Sequence, residues 1–317
     1  MKTAILDTRG LIIRAWAVGN DPNSVIDEET GKPVNSAKYG TSNFIEHALL
    51  PLLDDFSPLD IIAVWDVGSS KYRTSLYPDY KQNRKKSRDA EPKEMKVQRD
   101  LCIRYVKNIL TRLGIMSVHC EGVEADDVIA HLCHKFPGDV LVDTVDADLL
   151  QLQADHQNVT VRRGGFYKAL PIEFTTLNKS IVGDSSDGYN GVKGLGPAAW
   201  DLMFMEFGDD GMRELEEIVK TNNRNALAEV AEATAGTKVG KHIQKMLDQF
   251  SDWRTMYVLA QLHPELCEGY FNGQMNSLTW TARLPQGVKL KEALEVSSCQ
   301  HYQPALQKHC GTLSLVT

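Results

Sequence analysis

Apolar runs and helical periodicities alternate through the first half of the chain. The run Ala4-Ile5-Leu6, closed by Asp7, predicts a buried strand, and positions 11–18 then carry a helical pattern. A polar stretch over 20–35, rich in turn formers, leads to a second helical pattern over 39–56, with Phe44, Ala48, Leu49, Leu52 and Leu53 on its apolar face. Residues 60–66 read as another buried strand that ends on Asp66. Further on, 101–113 predicts a helix that stops at Gly114, 115–118 a short strand and 124–136 a helix. Val140-Leu141-Val142 predicts a strand running toward Asp146. From about residue 171 the strand pattern gives way to helical stretches over 200–207, 212–220, 226–233 and 239–250, separated by turns that contain glycine. Residues 297–317 carry no readable pattern.

Strands rich in Val, Ile and Leu that alternate with helices predict an α/β fold, with a mostly parallel central sheet flanked by helices. In such sheets ligands bind outside the carboxyl ends of the strands. Asp7, Asp66 and Asp146 all fall there. A domain boundary is expected near 165–172, after Arg163-Gly164-Gly165, with a helical subdomain beyond it.

Composition narrows the class. The 317 residues are 42% hydrophobic and 24% charged, which is ordinary for a globular chain. No apolar run approaches the ~20 residues of a membrane span. Asp7 arrives too early for a secretory signal, and the six cysteines form no CxxC pair. Reduced thiols, a cytoplasmic protein and no membrane partner are the expectation.

The net charge of −7 argues against a nucleic-acid partner until its distribution is considered. Residues 71–107 hold 12 Lys and Arg against five acids, a local charge of +7, which leaves −14 for the rest. Such segregation suits a polyanion on one part and metal cations on another. A solvated helix face is the plainer reading of a charge run taken alone.

The acids cluster as Asp7; Asp66; Glu124, Asp126 and Asp127; Asp146 and Asp148; Asp184 and Asp187. Converging carboxylates repel one another unless cations sit between them, and hard ions such as Mg²⁺ prefer oxygen ligands. On a helix Glu124 and Asp127 would share a face, with Asp126 to the side. Asp146 and Asp148 would point the same way on an extended chain. Taken singly, an Asp is more often a cap or turn residue, and 124–127 also reads as acids complementing a helix dipole. A zinc site from His119, Cys120, His131, Cys133 and His134 matches no common spacing.

Residues 191–196 form a glycine turn (Gly191, Lys193, Gly194 and Gly196) that opens a helix at Pro197. Exposed N–H groups at such a start favour phosphate. Without a preceding strand it is not a dinucleotide-binding turn, and a plain helix–hairpin–helix turn is the structural alternative.

In this order the motifs resemble the phage and bacterial 5′-nucleases, the flap endonucleases and 5′→3′ exonuclease domains such as that of bacterial DNA polymerase I. The resemblance covers roughly residues 3–270. It rests on Leu6-Asp7, Trp65-Asp66, Tyr72-Arg73, Tyr80-Lys81-Gln82-Asn83-Arg84, residues 123–127, Asp146-Ala147-Asp148 and Gly183-Asp184-Ser185-Ser186-Asp187 leading into 191–196. It implies a PIN/FEN-like nuclease fold over 1–168, with a basic helical arch at about 82–100. A helical DNA-binding domain with an H3TH element over 169–290 and a tail over 291–317 would follow. The nine acids would hold two or more Mg²⁺ or Mn²⁺ ions, and Lys81 and Arg84 would contact the scissile phosphate. Arg73, Lys85, Lys86 and Arg88 would meet DNA, as would the hairpin of Gly191, Lys193, Gly194 and Gly196, with K⁺ there. The implied activity is structure-specific phosphodiester hydrolysis, both 5′→3′ exonuclease and 5′-flap endonuclease, in replication or repair. The implied partners are DNA with a flap, nick or gap, RNA–DNA hybrids including primers, and replication proteins. A non-catalytic DNA-binding paralogue is the alternative. A small ribonuclease of related fold would lack the 191–196 hairpin. Thr8 stands where the family usually has Gly, Ala147 leaves the Asp146–Asp148 pair intact, and Asp143 is an acid with no matching position.

Overall fold

A computed structural model describes residues 2–57, 60–167, 174–271, 278–281 and 287–309. The strands are β1 (Lys2–Asp7), β2 (Val25–Ile26), β3 (Pro33–Val34), β4 (Ile61–Val64), β5 (Met116–Cys120), β6 (Asp139–Thr144), β7 (Val159–Arg163), β8 (Phe166–Tyr167), β9 (Gly183–Asp184), β10 (Tyr189–Asn190) and β11 (Leu278–Thr281). Seven of them form one sheet in the order β11-β5-β4-β1-β6-β7-β8. Its five central strands are parallel, and the edge strands β11 and β8 pair antiparallel.

The central strands are nearly continuous apolar runs because helices cover both faces. Ala4, Ile5, Leu6, Ile61, Ala63, Val64 and Val142 are all completely buried. Register places Asp7 opposite Val64, and Leu6 opposite Asp143, so β1, β4 and β6 end at one level. The loops carrying Asp66 and Asp146 leave from that edge.

The chain divides into two units. The first comprises Met1–Ser69, Glu91–Pro171 and His263–Thr317, and the second Ser70–Ala90 and Ile172–Leu262. This differs from the expected 1–168, 169–290 and 291–317. The start of the basic segment belongs to the second unit, and the chain after 262 returns to the first. The cause of the return is packing: the helix Gly287–Val296 inserts Leu290, Ala293 and Leu294 into the first unit's core, and Leu306 joins them. Most of the expected boundary at 165–172 lies outside the described residues, as do 310–317 of the tail.

The second unit has its own core of Leu177, Ile181, Met203, Leu215, Ile243 and Trp253. The helix Pro197–Lys220 joins the two stretches expected at 200–207 and 212–220, with non-helical backbone at Gly208 between them. The helix Phe250–Ala260 and the strand β7 have no counterpart among the elements expected from the sequence.

Strand β7 also explains the unmatched acid. Arg162 of β7 faces Asp143 of β6, and its guanidinium donates to both carboxylate oxygens, at 3.1 and 2.7 Å. Both side chains are buried. Asp143 is therefore an internal brace of the sheet rather than a member of the acid cluster. Burial pushes its carboxyl above the usual carboxylate range, and Arg162 opposes that shift. Removing one partner of such a pair strands the other charge. Asp143→Ala should lower unfolding free energy by about 3–5 kcal/mol, measured by denaturant titration. A loss below about 1 kcal/mol, the ordinary value for an exposed pair, would contradict a buried brace.

Candidate active site

One hydroxyl organises the acids at the edge of the first unit. Thr144 closes β6, is completely buried, and donates from Oγ1 to Asp7 Oδ2 at 2.7 Å. The same Oγ1 accepts the backbone N–H of Asp146 at 2.9 Å. Asp146 Oδ1 in turn accepts the N–H of Asp148 at 2.9 Å. Strand end, loop and carboxylates are thus joined in one chain of hydrogen bonds. Nothing in the sequence singles Thr144 out, because a Thr closing an apolar strand looks like ordinary β-propensity.

Asp7 is 8% exposed and sits at the start of the helix Thr8–Ala17. Its carboxyl is raised to about 6, first by burial, with the charges of Asp146 and Asp66 adding to it. The Thr144 hydroxyl and the Gly10 N–H pull the other way and are outweighed. Thr8, the departure from the family's glycine, turns its hydroxyl back to the Leu6 carbonyl at 3.2 Å. Its β-branched side chain is buried and satisfied.

The acidic helix start differs from expectation. Glu124 is the N-cap of the helix Ala125–Lys135, in extended backbone, rather than its first residue, and Asp127 is the third residue of the helix. Asp127 is completely buried, and its Oδ1 accepts the His263 N–H at 2.8 Å. Asp126 is the half-exposed member of the three. Asp127 thus anchors the returning chain. Asp146 and Asp148 are not on an extended chain either: Asp148 opens the 3₁₀ turn Asp148–Leu150 and donates its N–H to the Asp146 carboxylate.

The remaining two of the nine acids belong to the second unit. Asp184 accepts from Lys179 Nζ at 2.6 Å, and from the N–H groups of Ser186 and Asp187 at 2.8 and 3.2 Å. Burial would raise its carboxyl, but these bonds prevail and hold it at about 2. Asp187 is paired with Arg84 and accepts from Tyr80 Oη at 3.0 Å, with Lys81 Nζ 3.7 Å away. Lys81 takes left-handed backbone at φ 57°, and its N–H donates to the Asp187 carbonyl at 2.7 Å. Arg84 Nε also donates to the Ser186 carbonyl. Lys81 and Arg84 are therefore brought together, around a carboxylate of their own unit.

The expected DNA contacts separate into two kinds. Lys85, Lys86 and Arg88 lie exposed on the helix Gln82–Asp89, which buries no residue. Arg73 does not join them. It is 3% exposed, and its guanidinium donates to the carbonyls of Leu259 and Gln261, so it holds the unit together from inside. The arch expected over 82–100 is two helices, Gln82–Asp89 in the second unit and the start of Lys93–Arg112 in the first.

In the hairpin, Val192 and Leu195 anchor the turn in the core while Lys193 and Gly194 stay exposed. The Gln249 amide braces both the N–H and the carbonyl of Lys193. Gly191 is required by close approach, because a Cβ there would lie 2.1 Å from the Ile181 carbonyl oxygen. A short strand, β10, does precede the turn, but it pairs antiparallel with β9, so the geometry of a dinucleotide-binding turn is still not met. The Gly194 carbonyl accepts from Lys245 Nζ at 3.0 Å. A side-chain cation thus already serves one carbonyl of the turn for which the resemblance implies K⁺.

Among the described residues, no three His, Cys, Asp or Glu side chains come together closely enough to hold a metal ion. The donor chemistry at the edge of the first unit nevertheless fits a hard divalent ion. Asp7 and Asp146 accept from a hydroxyl and from backbone N–H groups, and Asp7 resists ionising beside Asp66 and Asp146. An Mg²⁺-type ion relieves that repulsion with oxygen ligands. Asp184 and Asp187 already have cationic partners.

A parallel sheet with acids crowded at its carboxyl edge, in a chain that also carries a basic helical segment and a glycine hairpin, defines a nuclease-type α/β protein. Residues 2–179 match the family described as 5′-3′ exonuclease, N-terminal resolvase-like domain. The chain belongs to that family of 5′ nucleases, and the nuclease reading stands over that of a non-catalytic DNA-binding paralogue. It is 34% identical over 210 residues to a 5′-3′ exonuclease of Bacillus subtilis, covering 62% of this chain and 67% of that one. It is 30% identical over 236 residues to a DNA polymerase I of Caldicellulosiruptor bescii, covering 69% of this chain and 25% of the polymerase. The chain thus spans about a quarter of that polymerase. Its fold is similar to the bacteriophage T5 5′-exonuclease solved with zinc, at TM-score 0.57 and 18% identity. It is also similar to the T5 D15 flap endonuclease solved with DNA and metal ions, at TM-score 0.59 and 19% identity. Each match covers 94% of this chain and 100% of the other.

The Asp7 shift has a consequence for stability. A carboxyl whose folded value lies above its unfolded one binds its proton more tightly when folded, so stability falls as pH rises between the two. Without divalent cations, unfolding free energy should drop by about 3 kcal/mol between pH 4 and 7 on account of Asp7. Asp7→Asn should remove that part of the slope and be the more stable protein above pH 6, as followed by denaturant titration across pH. An unchanged slope in Asp7→Asn would refute the crowding.

Proposed function

We propose that the chain is a divalent-metal-dependent, structure-specific 5′ nuclease that cuts DNA where a duplex meets a 5′ single strand. The observation that carries this is the Asp7 carboxyl, held near a pKa of about 6 by burial and by Asp146 and Asp66. A fold gains nothing from such crowding unless a cation completes it. Asp7, Asp66 and Asp146 would hold Mg²⁺ or Mn²⁺, with Glu124, Asp126 and Asp148 on the same unit. Bound there, the metal supplies a water of lowered pKa and stabilises the departing 3′ oxygen.

The chain's own residues do the rest. Thr144 fixes Asp7 and the Asp146 loop before any metal arrives, so the ligands need little reorganisation. Lys81 and Arg84 lie on Asp187, where an arriving phosphate competes with that carboxylate for their donors. Lys85, Lys86 and Arg88 offer charge to the phosphates of a single strand, and the hairpin at Lys193 and Gly194 offers its exposed turn to a duplex. K⁺ at that turn would share it with Lys245. RNA–DNA hybrids and primers fall within the same chemistry, because phosphate contacts touch neither the base nor the 2′-hydroxyl by which RNA differs from DNA. Replication proteins are the partners such a role implies. No helix among the described residues is long and apolar enough to cross a membrane.

The test is a cleavage assay on labelled 5′-flap, nicked, RNA–DNA hybrid and single-stranded substrates, with Mg²⁺, Mn²⁺ or EDTA. Cutting at the junction that needs a divalent ion supports the proposal, and equal rates in EDTA would end it. Asp146→Ala should lower single-turnover cleavage by at least about 10²–10³, the scale of losing a main electrostatic contributor. Its DNA affinity should hold or improve.

Lys193→Ala should weaken duplex-containing substrates evenly across sequences. The log–log salt slope should fall by about 0.9, the effect of one lost phosphate contact. Filter binding at several salt concentrations measures both. A change in base preference, or equal loss on a short single strand, would remove the hairpin from the duplex grip.

A further inference from the structure

The first unit contains a cavity of about 290 Å³ that none of the candidate site residues lines. It opens beside the helix Thr8–Ala17, with Leu11, Ala15 and Ala48 as apolar wall and Arg14, Asn43 and His47 as polar groups. Asp143 also reaches it, but that carboxylate is neutralised by the two-pronged bond from Arg162.

Three features set this cavity apart from a packing gap. Arg14 is exposed, and among the described residues its guanidinium has neither an acid nor a hydrogen-bond acceptor. It lies flat against the Gly164 turn, where a Cβ would meet Cζ, Nη1 and Nη2 at 3.3 Å and the backbone needs φ +60°. The helical stretch on the opposite wall breaks into a π-helical turn at Ile45–Leu49, which carries His47 and Ala48. Such turns recur at functional sites. Finally, Asn43 commits its Nδ2 to the Ala15 carbonyl at 3.1 Å, which leaves its Oδ1 as an acceptor.

An uncompensated guanidinium, an apolar wall and an amide acceptor describe a ligand with an anionic end, a flat apolar body and a donor. The volume is at the lower end of the range for small-molecule pockets. We propose that the cavity binds a nucleoside 5′-monophosphate, with the phosphate on Arg14 near His47 and the base against Leu11, Ala15 and Ala48. The choice of a nucleotide over other anions rests on the nuclease reading; the anion-and-ring character of the site does not. The nucleotide has two sources, a mononucleotide released by cleavage or the 5′-terminal nucleotide of a strand.

The experiment is calorimetric titration of the whole chain in EDTA, where no cutting occurs and no metal draws phosphate to the acids. The probes are dAMP, deoxyadenosine and inorganic phosphate. Saturable dAMP binding is expected, with deoxyadenosine about tenfold or more weaker for want of a charge-assisted bond. Arg14→Ala removes an exposed side chain and should weaken dAMP by a similar factor. Ala15→Phe, which fills the wall, should abolish binding while thermal melting confirms the fold. A 5′-phosphorylated trinucleotide that competes with dAMP points to a strand end, and one that does not points to the free product. No saturable dAMP binding, or equal affinity in Arg14→Ala, overturns the proposal. If the chain binds dAMP but cuts nothing in Mg²⁺, the cavity stands and only the nuclease reading falls.

Discussion

Everything at the carboxyl edge of the first unit depends on negative charges held closer together than water would leave them. Three parallel strands end at one level, and the chain places an acid at or just beyond each end. Burial makes the ionised Asp7 carboxylate costly, and its neighbours Asp146 and Asp66 make it costlier. The structure meets this with positioning instead of neutralisation. The Thr144 hydroxyl serves Asp7 and the Asp146 backbone together, so the geometry is set while the charge stays uncompensated.

The second unit treats its acids in the opposite way. Asp184 is held by Lys179 and Asp187 by Arg84, with Tyr80 and Lys81 beside it. There the carboxylates are low in pKa or salt-bridged, and they order the β9–β10 turn. The same residue type thus does two jobs: Asp184 and Asp187 are held by cationic side chains, whereas Asp7 and Asp146 accept from a hydroxyl and a backbone N–H. A list of acids in sequence order cannot show that difference, because Lys179 and Asp184 look no different from any other charged pair on paper.

What is legible in the sequence follows from which interactions are local. The strands β1, β4 and β6 and the helix Ala125–Lys135 are readable because a continuous apolar run or a 3.6-residue period marks them. The position of Asp7, Asp66 and Asp146 at strand ends follows from the same runs. Strand β7 is not legible, because Val159-Thr160-Val161 is short and ends in two arginines. Its partner Asp143, 19 residues earlier, gives Arg162 a reason to be buried. The segment after 286 does carry a signal, Leu290, Ala293 and Leu294 at i, i+3 and i+4, but it is too short to show which core it joins, and Leu306 lies outside it. Arg73 misleads because an arginine within a basic run reads as exposed. Its acceptors, Leu259 and Gln261, lie 186 and 188 residues away.

Two of the departures from the family pattern, Thr8 and Asp143, bear on how far a motif can be trusted. Thr8 beside Asp7 looks like a bulky intrusion on the acids, and Asp143 looks like an additional ligand. Each is satisfied locally, Thr8 by the Leu6 carbonyl and Asp143 by Arg162, and neither adds charge to the cluster. A hydroxyl that can reach back two residues, or a carboxylate with an arginine on the next strand, changes the sequence at an active-site edge without changing its electrostatics. The residues that do set the electrostatics are those whose partners are neutral donors, as at Asp7 and Asp146. It is the type of partner, more than the identity of the acid, that separates a site awaiting a cation from a structural carboxylate.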